Sequence, residues 1–401
     1  MDLIKHQHLS DKLMGSNSNN GGNIDEGFEF PVTPGKYWNT SMISAFLYEY
    51  YVVLRISISP SNPYLLHMDT GSSLTWIQCL PCDKCFEQVA PMYNPIRSLT
   101  YSVKYCSEYK SLCSGCNERG ECTYSRVYGD ETYSHGVIAG EVCRLDQSDS
   151  VFLMNLTFGC AHNSSEKYKG MDGFLGLGRG ELSFASQLDS RYGFKKFSYC
   201  LVDKSTTKIL PESSLRFGED VLDQPTDVVY TPMIQNPKLS SQYFINLTSI
   251  SVADNHIPTH MSLPNGIMVD SGSTDTWLPK PIYEAVRDSF HAAALQLGWK
   301  QDVSEYPANL CYDMSIFTDG ISIINTPAVT LYFDGDDDAF VELQPQNLLR
   351  NYPRIGVNIH CLAVQASIWD GIAILGNTQQ QGIRVVYDNV ASVIGFDPNS
   401  C

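Results

Sequence analysis

The sequence predicts a mainly β chain of two pseudo-symmetric lobes, because one pattern occurs twice at matched spacing between strand-like segments. In the first copy, His67-Met68-Asp69-Thr70-Gly71-Ser72 is followed by Phe174-Leu175-Gly176. In the second, Val269-Asp270-Ser271-Gly272-Ser273 is followed by Ile374-Leu375-Gly376. Gly176 lies 107 residues beyond Asp69 (176 minus 69), and Gly376 lies 106 beyond Asp270 (376 minus 270). The aspartates are 201 residues apart (270 minus 69), half of a 401-residue chain. One duplicated lobe accounts for these spacings, and this length favours two lobes over one core.

Taken in order, residues 1–44 read as a disordered or residual prosegment, with the Asn/Gly/Ser stretch from Gly15 to Asn23 the most disordered in character. Residues 45–203 form the expected N-terminal lobe and 204–401 the C-terminal lobe, joined through the polar segment Asp203 to Ser214. Strands are expected at residues 51–58, 64–68, 153–158, 243–250 and 383–387, each rich in β-branched or aromatic residues and bounded by turn formers. One clear helix is expected after Pro281, running through Leu295 with Gly298 beyond its end.

Composition narrows the function. A formal charge of −17, from 44 acidic against 27 basic residues, disfavours nucleic acid and anionic membranes as partners. It is compatible with work at acid pH, where carboxylates protonate and self-repulsion falls. No apolar run approaches the roughly 20 residues that span a bilayer. A nucleotide site would have to use Gly173-Phe-Leu-Gly-Leu-Gly-Arg-Gly180, which contains neither GxGxxG nor GK[ST].

Seven of the 13 cysteines lie between Cys79 and Cys122, a density typical of a disulfide framework made in an oxidising compartment. Cys79-x-x-Cys82-x-x-Cys85 also has metal-ligand spacing, but no paired His or second CxxC follows, so disulfides are expected and no metal or cofactor is. Four N-x-[ST] sequons, at Asn39, Asn155, Asn163 and Asn246, point the same way as the cysteines. The N-terminus shows no apolar signal region. An extracellular, vacuolar or other secretory location is expected from the cysteines, with a plastid as the alternative.

Two carboxyls that share a proton can hydrolyse a peptide bond without a covalent intermediate. One carboxylate takes a proton from water while the other carboxylic acid protonates the carbonyl oxygen; like charges about 3 Å apart do not ionise together, which keeps both forms present. Asp69 and Asp270 are the candidates. Gly71 and Gly272 allow a tight loop that turns backbone N–H groups toward each carboxylate. Ser72 and Ser273 are placed to hydrogen-bond the outer oxygens, and Thr70 and Ser271 to tie the two loops together. A single Asp-[Thr/Ser]-Gly is most simply a surface turn; two copies with matched returns to Leu-Gly outweigh that reading.

Further motifs extend the pattern: Asp69-Thr-Gly-Ser-Ser-Leu-Thr-Trp76-Ile-Gln-Cys79-Leu-Pro-Cys82, Tyr124-Ser-Arg-Val-Tyr128-Gly129-Asp130, Leu156-Thr-Phe-Gly-Cys160, Phe197-Ser-Tyr-Cys200 and Ile374-Leu-Gly-Asn-Thr-Gln-Gln-Gln381. In order and spacing, residues 50–401 resemble the pepsin-like aspartic proteinases, specifically their plant nepenthesin-like branch. The resemblance implies a bilobal fold of two β-barrel-like lobes with a few short helices. It also implies an endopeptidase acting on polypeptides at acid pH, monomeric and sensitive to pepstatin-type inhibitors. Tyr128 and Gly129 would lie on a flap closing over substrate, with Trp76 bonded to the Tyr128 hydroxyl; two core aromatics are the plainer alternative. The branch's disulfides would pair Cys79 with Cys82, Cys85 with Cys160, Cys200 with Cys401 and Cys311 with Cys361. Two bridges would join Cys106, Cys113, Cys116 and Cys122, leaving Cys143 over.

Three departures stand out. Glu131 takes the place of a flap glycine, where φ > 0 would otherwise be easy. Asp275 takes the place of an apolar residue, and Trp277 that of a smaller aromatic. Asp275 would raise neighbouring pKa values if buried and do nothing if solvated; the solvated state is expected. These departures sustain a rival reading, a catalytically weak or inactive binding or inhibitor protein on the same scaffold.

Overall fold

The computed structural model describes residues 27–34, 49–57, 61–145, 153–168, 170–202, 213–219, 221–222, 228–259, 262–303, 310–315, 325–335, 339–354, 357–398 and 401. Strands dominate these residues. They fall into two compact units, one of residues up to Phe197 with Ser214–Val221, the other of Ser198–Ser213 with Leu222–Cys401.

In the first unit, Tyr50–Ile56 and Asn62–Asp69 form an antiparallel pair, Tyr51 opposite His67 and Ile56 opposite Asn62. Asn62–Asp69 is then joined in parallel by Gly173–Gly176, Leu175 facing Met68 and Gly176 facing Asp69. Trp76–Gln78 pairs antiparallel with that returning strand. The long strands Tyr133–Arg144 and Leu153–Ser164 form the backbone of the sheet beside them. Beneath lies an aromatic core that includes Tyr51, Trp76, Phe86, Tyr124 and Phe174. Glycine is demanded at Gly173, where a Cβ would meet the Trp76 carbonyl oxygen at 1.9 Å.

The second unit repeats the arrangement. Ile267–Val269 runs parallel to Ala373–Leu375, Val269 facing Leu375, and Thr276–Leu278 turns back antiparallel so that Trp277 faces Ile374. The predicted helix is Lys280–Gln296, with Pro281 in its first turn and Ile282, Tyr283, Val286, Phe290 and Ala294 buried along one face. Gly298 follows at φ +82°. A separate sheet joins Cys311–Asp313 to Val357–Leu362 and Leu349–Arg354.

Sequence expectation and structure part at several points. Within 1–44, read as disordered or prosegment, Phe28–Pro34 is a strand that pairs with Ser214–Phe217 and with Tyr50–Val52. Its alternation buries Phe28, Phe30 and Val32. The Gly15–Asn23 stretch, residues 203–212 of the expected link, Ile58 and the Asn39 sequon lie outside the described residues. The run 243–250 is split at Asn246 into Phe244–Ile245 and Leu247–Val252, and the last predicted strand is Arg384–Asp388.

All twelve candidate cysteines are bonded, but two pairings differ from the branch pattern. Cys79 joins Cys160, and Cys82 joins Cys85. The sheet register decides this: Trp76–Gln78 runs parallel to Leu153–Ser164 with Ile77 opposite Cys160, and the Cys79 amide continues the ladder by donating to the Ala161 carbonyl, which leaves the Cys79 and Cys160 Cα atoms 5.4 Å apart. The metal alternative falls with it, since all three sulfurs of the Cys79–Cys85 motif are consumed. The insert closes through Cys106–Cys116 and Cys113–Cys122, the second unit through Cys200–Cys401 and Cys311–Cys361, and Cys143 is free and buried.

Candidate active site

Asp69 ends a central strand of its unit and Asp270 immediately follows one, each at the point where the chain leaves the sheet. Asp69 is 4% exposed and Asp270 7%. In both loops the glycine two residues on donates its N–H to the aspartate's Oδ1, at 2.9 Å from Gly71 and 2.8 Å from Gly272. The Ser72 hydroxyl donates to Asp69 Oδ2, whereas Ser273 acts through its carbonyl, which accepts from the Asn377 N–H at 2.7 Å. Thr70 and Ser271 are fully buried, and the Ser271 carbonyl accepts from Asn377 Nδ2 at 3.1 Å.

The returning strands press directly on these loops. A Cβ on Gly176 would lie 2.5 Å from the Ser73 carbonyl carbon, and one on Gly376 would lie 2.3 Å from the Asp275 carbonyl oxygen. The two Leu-Gly segments are therefore steric requirements of the two aspartate loops, one in each unit. A further pair of residues escaped the sequence reading: the hydroxyl oxygens of Thr75 and Thr276 accept the N–H groups of Gly176 and Gly376, at 3.2 and 3.0 Å. The signal was present, since both threonines stand six residues after their aspartate. Gln380 adds a further tie to the second loop, its Nε2 donating to the carbonyls of Leu375 at 2.8 Å and Asp270 at 3.3 Å.

A hairpin of Cys122–Val127 and Tyr133–Arg144 stands over the first loop's sheet. Trp76 Nε1 donates to the Tyr128 hydroxyl at 2.6 Å. The rings of Tyr128 and Trp76 both stack on Phe174, at 4.8 and 5.3 Å between centroids. The tip is a tight turn, with the Glu131 N–H donating to the Tyr128 carbonyl and the Tyr128 N–H to the Thr132 carbonyl. Asp130 Oδ1 accepts from the Thr132 N–H at 3.0 Å. Glu131 sits at φ +66°, so a side chain occupies the left-handed conformation that glycine adopts freely. Under the stack, His67 edges onto Phe174 at 4.9 Å and its Nε2 lies 3.2 Å from Glu49 Oε2.

Asp275 is not solvated as expected. It is 6% exposed and its Oδ1 lies 3.2 Å from Arg350 Nη1, an ion pair that the sequence could not reveal because the partners are 75 residues apart (350 minus 275). Trp277 packs edge-on against Trp369. Asp172, just before the first returning strand, was also missed. Its carboxyl accepts N–H groups from Leu65 at 2.6 Å and Ala90 at 2.8 Å, and burial pushes its pKa up to about 7 against the pull of those donors.

Two mainly β units, each presenting an aspartate at the end of a central strand and a Leu-Gly strand behind it, define the bilobal aspartic-protease architecture. The chain belongs to the pepsin-like aspartic protease family. Family models described as xylanase inhibitor N-terminal and C-terminal match residues 50–219 and 242–398. Aspartyl protease family protein 2 of Arabidopsis thaliana is 34% identical over 365 residues, covering 88% of this chain and 71% of that protein. Aspartic proteinase nepenthesin-1 of Nepenthes gracilis is 33% identical over 364 residues, covering 88% and 78%. Among solved structures, the fold matches edgp (TM-score 0.73, 21% identity, 94% of this chain and 96% of that one) and basic 7S globulin from soybean (0.70, 18%, 94% and 97%).

Proposed function

We propose that the protein is an aspartic endopeptidase that hydrolyses polypeptides at acid pH, with Asp69 and Asp270 as the catalytic carboxyls. The observation that carries this reading is the repetition, at both aspartates, of a buried carboxyl gripped by the N–H two residues on. In the proposed reaction the ionised carboxylate takes a proton from water as the water attacks the scissile carbonyl carbon. The protonated partner gives its proton to the carbonyl oxygen, and proton transfer to the nitrogen then releases the amine. No metal or cofactor enters. Tyr128 and Gly129 act as the flap, which excludes water and holds the peptide extended; the Trp76 bond and the Phe174 stack set the resting position of the tyrosine.

Passage through the secretory route is part of the proposal and rests on the disulfides; the monomeric state is carried over from the family resemblance. Asn155 is exposed on the Leu153–Ser164 strand and suited to carry a glycan, whereas Asn246 already donates its Nδ2 to Asp334 at 2.6 Å. The second reading, a non-catalytic binder, is favoured by two observations: Glu131 in a left-handed tip and the match to family models described as xylanase inhibitor N-terminal and C-terminal.

Cleavage of denatured haemoglobin or casein at about pH 3 to 5 separates the two. Pepstatin-sensitive cleavage abolished by Asp69→Asn supports the peptidase. Its absence from correctly oxidised protein assigns the chain to the binders.

A further inference from the structure

Side by side, the two aspartate loops read Asp69-Thr70-Gly71-Ser72-Ser73-Leu74-Thr75-Trp76 and Asp270-Ser271-Gly272-Ser273-Thr274-Asp275-Thr276-Trp277. Every position matches in chemistry, Thr70 against Ser271 and Ser73 against Thr274 being hydroxyl pairs, except the sixth. In the first loop that residue is Leu74, buried in the aromatic core with Leu65, Trp76 and Phe174. In the second it is Asp275, whose side chain is 8% exposed and paired with an Arg350 that is 17% exposed. Both positions lie against a returning strand: a Cβ added at Gly176 would meet the Leu74 nitrogen at 2.7 Å, and one added at Gly376 the Asp275 carbonyl oxygen at 2.3 Å.

Arg350 is itself held. It lies on the Leu349–Arg354 strand directly opposite Cys361, and Cys361 is bonded to Cys311 on the strand beyond. The guanidinium therefore extends from a covalently stapled sheet. The residues flanking Asp275 are fixed by the segment after the returning strand: Asn377 N–H donates to the Ser273 carbonyl at 2.7 Å, Thr378 N–H to the Thr274 carbonyl at 3.1 Å, and Gly376 N–H to Thr276 Oγ1 at 3.0 Å. A buried ion pair is a poor substitute for packed leucine as a source of stability, because two charges must be desolvated.

We propose that Asp275 is a positioning residue for Asp270. Its ion pair with Arg350 holds the second aspartate loop in the shape that lets the Gly272 N–H grip the Asp270 carboxylate, a task that packing of Leu74 performs for Asp69. The second loop thereby depends on a charge pair and the first does not. The proposal rests on the peptidase reading for its kinetic consequence, and its structural consequence stands apart from it.

The test compares Asp275→Asn, Arg350→Lys and the double variant Asp275→Leu with Arg350→Met, which copies the apolar solution of the first loop. Two quantities are measured: kcat and KM on a peptide substrate at acid pH, and hydrogen exchange of the segment holding the Asn377 and Thr378 amides. Asp275→Asn is expected to lower kcat at least tenfold with KM within twofold, and to speed exchange in that segment while the first unit is unchanged. Arg350→Lys, which retains charge but not the planar fork and keeps the test decisive if the first variant does not fold, is expected to do the same to a smaller degree. The double variant is expected to recover both quantities to within threefold of the parent. Unchanged kcat and exchange in the single variants overturns the proposal, as does a loss confined to KM. If the parent protein cleaves nothing, the peptidase reading fails, and the exchange measurement alone decides whether Asp275 locks the loop.

Discussion

Replacing Asp172 by Asn should flatten the pH dependence of the first unit's stability. The carboxyl ties the Asn62–Asp69 strand and the segment around Ala90 together through two N–H donors, and burial raises its pKa from an ordinary 3.8 to about 7. The folded state thus binds the proton more tightly than the unfolded chain. Below about pH 4 both states are protonated and the full contribution is present. As pH rises the unfolded chain gains by ionising, and the contribution is lost by the time pH passes through about 7. At about 1.4 kcal/mol per pH unit, that interval amounts to about 4 kcal/mol. In Asp172→Asn no proton is involved, so the term vanishes, while facing an amide N–H₂ toward one backbone donor costs about 1–3 kcal/mol at every pH. His360, in the other unit, has its pKa lowered by burial to about 4 and acts with the opposite sign, losing stability as pH falls; both proteins share it, so it cancels in the comparison. Urea unfolding from pH 3.5 to 8 at constant ionic strength, followed by hydrogen exchange in residues 62–69 and 153–164, isolates the first unit. The parent should weaken toward pH 8 relative to the variant. Parallel curves for the two proteins would refute the reasoning.

Trp76→Phe keeps the stack on Phe174 but removes the 2.6 Å bond to the Tyr128 hydroxyl; a loss of about 0.5–1.5 kcal/mol in flap positioning is expected, read as a several-fold fall in kcat/KM. Gly376→Ala forces a methyl against the Asp275 carbonyl and should destabilise the second unit by at least about 1–3 kcal/mol, measured by denaturant midpoint. Non-reducing peptide mapping should recover one peptide linking Cys79 to Cys160 and a closed Cys82–Cys85 loop; a Cys79–Cys82 species would contradict the register argument.

The duplicated plan was legible because a repeat leaves its mark in spacing. The matched returns to Gly176 and Gly376 reflect a steric need that sequence must obey, and the aspartates and their glycines follow from it; the Trp76–Tyr128 bond was legible only through the family resemblance. Residues whose roles depend on partners far along the chain were not. Asp172 looks like any turn aspartate until the Leu65 and Ala90 amides converge on it, and Asp275 was expected in solvent because nothing near it in sequence announces Arg350. The Cys79–Cys160 pairing follows from parallel register, which spacing does not encode. Phe28, Phe30 and Val32 carry an alternation signal that the polar stretch preceding them masks.

The central claim is that Asp69 and Asp270 together activate water. It is tested most directly by initial rates of cleavage of denatured haemoglobin at about pH 3 to 5 by the oxidised protein and by Asp69→Asn and Asp270→Asn separately, with and without pepstatin. The account predicts cleavage by the parent that pepstatin blocks, and loss of at least a thousandfold in rate in each variant, with native hydrogen-exchange protection retained. Cleavage that survives either substitution, or a folded parent that neither cleaves nor binds pepstatin, would contradict it.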